Sequence, residues 1–152
     1  NKLSSTEKLS GDSAQYEGQQ KFDYDFYNKI PGLNPIFVEN ILNQLAIFEH
    51  ENKFLDPQVS QKSLSEDLGT NSTYFSKIIN TYKGKNFVLY ISDLRLDYII
   101  DHLKNDVKYI NKDVKELAAI AGFSNTENFS DHFRRKFDLK PSVFIKMLKD
   151  NM

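Results

Sequence analysis

Two stretches of the chain repeat one apolar pattern, and this repeat constrains the fold more than any other feature of the sequence. Residues 64–69 and residues 117–122 each begin with a leucine and end with a glycine. An aromatic residue follows the glycine by six positions in the first stretch, at Phe75, and by seven in the second, at Phe129. Each stretch therefore predicts a short helix, a glycine turn and a second helix, which is the helix-turn-helix arrangement.

A longer helix is predicted between the two repeats, at about residues 87–103. Seventeen helical residues span roughly 25 Å at about 1.5 Å per residue. With the offsets at each end, the two second helices would lie about one turn of DNA apart, roughly 34 Å. Two recognition helices on one chain could then enter successive major grooves on the same face of a duplex.

The chain divides near Pro35 into a polar arm and a domain. Residues 1–35 are predicted to be an arm or linker, of which residues 1–20 are disordered because they carry few apolar anchors. The rings at residues 22–27 either dock on the domain or serve as a partner-binding peptide. A long apolar stripe opens the domain and ends at the Asp56-Pro57 break. Its members are Ile36, Phe37, Ile41, Leu42, Leu45 and Phe48.

Residues 36–149 show apolar spacings of three and four without sustained alternation, which predicts an all-α domain. It contains two helix-turn-helix subdomains joined by the long linking helix and preceded by the polar N-terminal arm. The first unit is predicted at about residues 59–84 and the second at about residues 112–137.

The net charge of −1, from 20 basic and 21 acidic residues, excludes a histone-like basic protein. The charge is unevenly distributed, since residues 1–58 carry five basic and nine acidic side chains and residues 59–149 carry fifteen and eleven. The later part is therefore the part suited to phosphate.

Several classes of site are excluded by composition. Cysteine is absent, which excludes disulfides, thiolate metal sites and a cysteine nucleophile and fits a reducing cytosol, so we expect a cytoplasmic protein. His50, His102 and His132 lie far apart without companion motifs, and we expect no enzyme, no metal and no cofactor. No run approaches eighteen apolar residues, so no membrane contact by this chain is expected. The start has no apolar h-region and is not expected to be a signal peptide, and the absence of an initiator methionine predicts a piece of a longer protein.

The second half of the chain resembles the C-terminal DNA-binding domain of the AraC/XylS family of transcription regulators. The resemblance lies in Leu94-Arg95-Leu96 and in the block IAGFSNTENFSDHFRRKFDLKPSVF at residues 120–144, with its GF pair, two Phe four apart, basic cluster and Pro-Ser. It covers roughly residues 36–149 and implies sequence-specific binding of double-stranded DNA. The sequence also resembles the subgroup of this family in which the DNA-binding domain follows a helical-repeat sensor and a membrane segment. In such a protein the polar arm would be a linker.

Two positions depart from the family pattern. Asp138 stands where the family usually has glycine, and Ile145 stands where it often has arginine. These departures weaken the expectations for the last turn of the second recognition helix and for one phosphate contact.

Base-reading side chains of the first recognition helix are predicted from helix phase and from the resemblance together. The outward positions that both select are Thr73, Ser76 and Lys77. Lys77 can donate to guanine O6 or N7, and the two hydroxyl side chains can make short polar or methyl contacts.

In the second recognition helix, the resemblance places contacts at Thr126, Glu127, Asn128 and Asp131. Asn128 can bridge adenine N6 and N7, and Glu127 can accept from cytosine N4. Two acids that face a polyanion lower affinity unless they find donors, so the second unit is expected to bind more weakly or more selectively. Alternatively, Glu127 and Asp131 only cap and solvate the helix.

Phosphate contacts are predicted at a basic cluster and at helix starts. Arg134, Arg135 and Lys136 lie one turn beyond the base-reading face. Ser72, Asn125 and Ser142 lie where free N–H groups and the helix dipole favour phosphate, and Asn71 or Ser72 and Asn125 are predicted caps. Arg95 is expected to pair with an acid and to brace the two halves.

An alternative function is a helical protein–protein interaction module that keeps the fold and uses the acidic arm and first helix as its contact surface. Strongly salt-dependent affinity for DNA would separate the two functions. The sequence leaves open whether residues 1–35 dimerise the domain, contact RNA polymerase or serve only as a connection.

Overall fold

The computed structural model describes residues 21–152, and the stretch 1–20, predicted to be disordered, lies outside the described residues. Within this part of the chain every regular element is helical, which confirms the all-α prediction, and none is long and apolar enough to cross a membrane. The elements are α1 (Tyr24–Tyr27), α2 (Pro35–His50), a 3-10 turn (Lys53–Leu55), α3 (Gln61–Asp67), α4 (Ser72–Lys83), α5 (Phe87–Asn105), α6 (Val107–Ile110), α7 (Val114–Ile120), α8 (Thr126–Phe137) and α9 (Pro141–Asp150).

Side-chain caps define the starts of the two recognition helices, α4 and α8. Asn71 accepts a hydrogen bond from the backbone N–H of Tyr74, and Asn125 accepts one from Asn128, both at 2.8 Å. Each bond satisfies an N–H group that has no partner inside its helix. Both recognition helices therefore begin in the same way, with an asparagine directly before the first helical residue.

Helix α2 buries Ile41, Leu45 and Phe48 of the predicted stripe but differs from the prediction at its start and in its length. Its buried side chains include Val38, whereas Ile36 is 68% exposed. Residues two positions apart on a helix point about 200° away from each other, so these two cannot lie on the same face. The helix ends at His50 and not at the predicted Asp56-Pro57 break. Asn52 adopts a left-handed conformation with φ of 56°, and the chain then enters the 3-10 turn.

The segment from residue 21 to residue 35 lies against the domain. Ile30 and Leu33 are buried in the core of the first unit. The Phe26 ring packs edge-on against Tyr82 of α4 at 5.3 Å between centroids, and the Tyr82 hydroxyl donates to the Phe26 carbonyl at 2.7 Å. Of the rings, Phe26 and Tyr27 dock on the domain, whereas Phe22 and Tyr24 are 43% and 57% exposed, so this part of the predicted arm is partly packed.

Helix α5 carries both hydrophobic cores. Tyr90 and Ile91 in its first half pack with α2, α3 and α4. Leu96 and Ile99 in its second half pack with α7, α8 and α9. The helix has 19 residues, two more than predicted, and spans about 28 Å. It therefore fixes the separation of α4 and α8 while contributing to the core of each unit.

The two units meet at the 3-10 turn after α2. Gly122, the turn glycine of the second unit, has a left-handed φ of 89° and faces the backbone of Leu55. A methyl group at Gly122 would lie 2.6 Å from the Leu55 carbonyl oxygen, whereas one at Gly69 of the first unit would meet nothing within 4 Å. Only the second turn glycine is therefore also required by packing.

We predict different costs for alanine at the two turn glycines. Gly69→Ala should cost about 1–2 kcal/mol of the free energy of unfolding, because alanine is strained at left-handed φ. Gly122→Ala should cost a further ~1–3 kcal/mol, because its methyl group overlaps the Leu55 backbone. Urea unfolding of both variants measures the difference. An equal loss of unfolding free energy in the two variants would show that the backbone at Leu55 can move away from the added methyl group without strain.

Candidate nucleic-acid interface

Helix α4 presents a polar face opposite a closely packed apolar one. Phe75, Ile78 and Ile79 are fully buried. On the other side, the predicted base-reading residues Thr73 and Lys77 are exposed, and Ser76 is half-buried. Among the residues that the structure describes, Lys77 makes no ion pair. Its ammonium group is therefore available to an external acceptor.

Asn80 adjoins this face and was not among the predicted contacts of the first recognition helix. Its side-chain amide donates to the Ser76 carbonyl at 2.9 Å and approaches the Ser76 hydroxyl at 3.3 Å. In this contact the Ser76 hydroxyl oxygen accepts, so its own O–H group remains able to donate to an external ligand.

Helix α8 buries Phe129 and Phe133 completely and exposes Glu127, Asn128 and Asp131, with Thr126 half-buried. Asn125 caps the start of this helix, so Glu127 and Asp131 do not serve as its cap, which was the alternative role considered for them. Glu127 lies in the first turn, where a carboxylate complements the helix dipole. Within residues 21–152 neither acid has an ion-pair partner. The outward face of α8 therefore carries two free carboxylates.

The predicted basic cluster divides in two. Arg134 and Arg135 are exposed and have no ion pair within the described chain. Lys136 instead turns to the linking helix, where its ammonium group lies 3.0 Å from Asp97 and 3.5 Å from Asp93. The two arginines are thus placed to meet a phosphate, and Lys136 makes an internal contact.

The predicted phosphate contacts at helix starts, Ser72, Asn125 and Ser142, are all exposed. Asn125 uses its carbonyl oxygen as the cap of α8, which leaves its amide N–H groups free to donate outward. Ser142 lies in the first turn of α9, which has no side-chain cap. N–H groups at such a start are suited to an anion.

Arg95 braces the two units as predicted, although its partners are not acidic side chains. It is buried, and it donates to the backbone carbonyls of Phe54 at 2.7 Å and Asp56 at 2.9 Å. Its guanidinium also lies over the ring of Phe123, at 5.6 Å from the centroid. Burial lowers the pKa of Arg95 and the Asp56 charge raises it, but an arginine keeps its proton at neutral pH.

Sequence reasoning missed His132, which lies in a cleft of about 160 Å³ between the units, together with Arg95 and Phe123. Burial, and then the charge of Arg135, lowers its pKa below the ordinary value, while nearby aspartates act in the opposite direction. No sequence signal marked this histidine, because part of the cleft lining, such as Val59 and Arg95, comes from the other unit and from α5. Within residues 21–152 no group of three or more metal-ligating side chains is present.

The chain shares this arrangement with known proteins. Residues 64–147 match a family model described as a helix-turn-helix domain. No curated protein gives a match. The DNA-binding domain of AdpA, described as the global transcriptional factor and solved in complex with a target DNA, is similar with a TM-score of 0.63 at 15% identity. The similarity covers 74% of this chain and 95% of that one.

Two further solved structures are similar. The C-terminal domain of the two-component response regulator YesN from Fusobacterium nucleatum has a TM-score of 0.57 at 23% identity, over 70% of this chain and 95% of that one. An AraC-type transcriptional regulator from Chromobacterium violaceum has a TM-score of 0.56 at 17% identity, over 74% and 91%. At these identities the likeness establishes the fold.

We predict that His132 makes the free energy of unfolding depend on pH. Since its pKa is lowered in the folded chain, the unfolded chain binds this proton more readily. The stability contribution is therefore complete above pH ~6.5 and is lost as the pH falls below that value, by less than about 1.4 kcal/mol per pH unit. Urea unfolding measures the free energy of unfolding at pH 7 and at pH 6. The difference between the two pH values should be smaller for His132→Gln than for the unaltered chain. The exposed His50→Gln variant is the control, and an unchanged difference in His132→Gln would contradict the assignment.

Proposed function

The chain belongs to the AraC-type helix-turn-helix family of DNA-binding transcription regulators, and we propose that it places α4 and α8 in successive major grooves of a duplex. The observation that carries this proposal is the shared design of the two helices. Each follows a glycine turn, begins at an asparagine cap and buries an aromatic face while its other face stays polar. Their separation is set by α5, whose length of about 28 Å suits half-sites one helical turn apart.

In the proposed complex, α4 reads bases through Thr73 and Lys77, with Ser76 as a shorter polar contact. The free ammonium group of Lys77 suits guanine, whose O6 and N7 both accept in the major groove. In α8, Asn128 suits adenine, and Glu127 suits the amino group of cytosine. Thr126 and Asp131 complete that face.

Phosphate contacts are proposed at Arg134 and Arg135 and at the helix starts Ser72, Asn125 and Ser142. The two arginines are exposed and lie one turn beyond the base-reading positions of α8. Such contacts contribute affinity without sequence information. Lys136 is less suited to contact phosphate than the two arginines, because its ammonium group is paired with Asp97 and Asp93.

A second candidate function is contact with a protein partner. A groove of about 510 Å³ lies between α2 and α3, with Ile47, Phe48 and Leu64 among its apolar lining and Asp56 and Asp67 among its acids. Such a groove suits an apolar segment of a partner protein. RNA polymerase and a second copy of this chain are the partners proposed for it in the full-length protein.

We predict salt-dependent binding of the chain to duplex DNA. If three to four phosphates are neutralised, affinity should fall roughly 40- to 150-fold between 50 and 200 mM salt. Fluorescence anisotropy with a labelled pool of random duplexes measures this fall, and sequencing of the retained duplexes identifies the half-sites. Absence of binding at either salt concentration would favour the protein-partner function.

We predict that Lys77→Ala weakens binding to the selected duplex by about 1–3 kcal/mol and relaxes the preference at one base position. Lys104→Ala is the matched control, since Lys104 is also exposed but lies near the far end of α5. The measurement is anisotropy against the selected duplex and its single-base variants. Equal effects of the two substitutions at every base would show that Lys77 contributes only general charge.

A further inference from the structure

One carboxylate lies between the C-terminal ends of both recognition helices. Asp93 of α5 meets the ammonium group of Lys85 at 2.5 Å through one oxygen and that of Lys136 at 3.5 Å through the other. Lys85 follows Gly84, the glycine at which α4 ends, and Lys136 is the last residue but one of α8. Asp93 therefore connects the two helices through a single side chain.

The surroundings strengthen this connection. Asp97, one turn further along α5, accepts a second contact from Lys136 at 3.0 Å. The side chains of Asp93 and Lys136 are each 27% exposed, and that of Lys85 is 36% exposed. Isolated pairs at the surface contribute little, but a partly buried network of several charges is less screened by salt. Asp93, Lys85 and Lys136 form such a network, and Asp97, whose side chain is 65% exposed, extends it toward solvent.

The position of Asp93 complements that of Arg95. The two residues differ in direction by about 200° around α5, so they project from nearly opposite sides of the helix. Arg95 holds the turn after α2 and the Phe123 ring on one side. The Asp93 contacts hold the chain at the ends of α4 and α8 from the other side, and they add to the restraint that Arg95 supplies.

We propose that Asp93 is a positioning residue, which fixes the relative orientation of α4 and α8 and thereby the half-site spacing that the chain accepts. The proposal rests on the proposed function. Asp93 itself does not touch DNA in this arrangement. It acts by holding Lys85 and Lys136, two cations that would otherwise be drawn toward phosphate.

The test is Asp93→Asn in the full 152-residue chain, with affinity for DNA measured by fluorescence anisotropy. Three kinds of duplex are compared: the selected duplex, the same duplex with one base pair added or removed between half-sites, and a duplex with one half-site scrambled. We expect about tenfold weaker binding at the selected spacing. Discrimination against the altered spacings should fall by a similar factor, and affinity for the single half-site should not fall, because the substitution removes a negative charge as the control does. Asp93→Glu should restore part of the spacing preference.

Asp101→Asn is the matched control, because it removes the same charge from the same helix. Among the described residues, the Asp101 side chain accepts a hydrogen bond only from Asn105. This substitution should raise affinity for every duplex alike and leave the spacing preference unchanged. If Asp93→Asn behaves like Asp101→Asn, the carboxylate is an ordinary surface charge and the proposal is overturned.

A second measurement does not require DNA, so it separates failure of this proposal from failure of the proposed function. The chain has no native cysteine, and spin labels at Thr81→Cys on α4 and Glu127→Cys on α8 report the distance between the recognition helices. Asp93→Asn should broaden the distance distribution, and Asp101→Asn should not. Unchanged widths in Asp93→Asn would overturn the positioning role whether or not the unaltered chain binds DNA.

Discussion

The buried guanidinium of Arg95 is the interaction on which the arrangement of the two units depends. A buried cation destabilises a fold unless its donors find acceptors. Here the donors meet the carbonyls of Phe54 and Asp56, which belong to the turn after α2, and the planar group covers the ring of Phe123 in the second unit. Arg95 makes all of these contacts only when both units are in place. Its burial therefore couples the positions of the two units.

The close approach at Gly122 acts on the same turn. Because this residue lacks a side chain, the backbone of the second unit can contact the backbone of Leu55, within one residue of the carbonyls that Arg95 holds. A glycine required by the local turn therefore also sets a distance between units. The turn itself lies outside both helix-turn-helix repeats, so the relative position of the recognition helices depends in part on residues that neither repeat contains.

Local features of the fold were predictable from the sequence, because each depends on neighbours along the chain. The apolar spacing around Phe75 and Phe129, the glycine turns and the Asn125 cap all correspond to the structure. Features that depend on distant partners were not. The docking of Phe26 joins residues 56 positions apart, and the Lys136–Asp93 contact joins α8 to α5. Neither pairing has a local pattern, so the sequence did not predict that Lys136 pairs with α5.

The distribution of charge makes the two recognition helices unequal partners in the proposed complex. The base-reading side chains of α4 include a free lysine and no acid, whereas α8 sets Glu127 and Asp131 against Arg134 and Arg135, a net outward charge of zero. Lys136 cannot shift that balance while Asp93 and Asp97 hold it. A carboxylate near bases lowers affinity for every sequence except one that offers it a donor, such as the amino group of cytosine. On this argument α4 contributes more of the affinity, and α8 rejects incorrect sites.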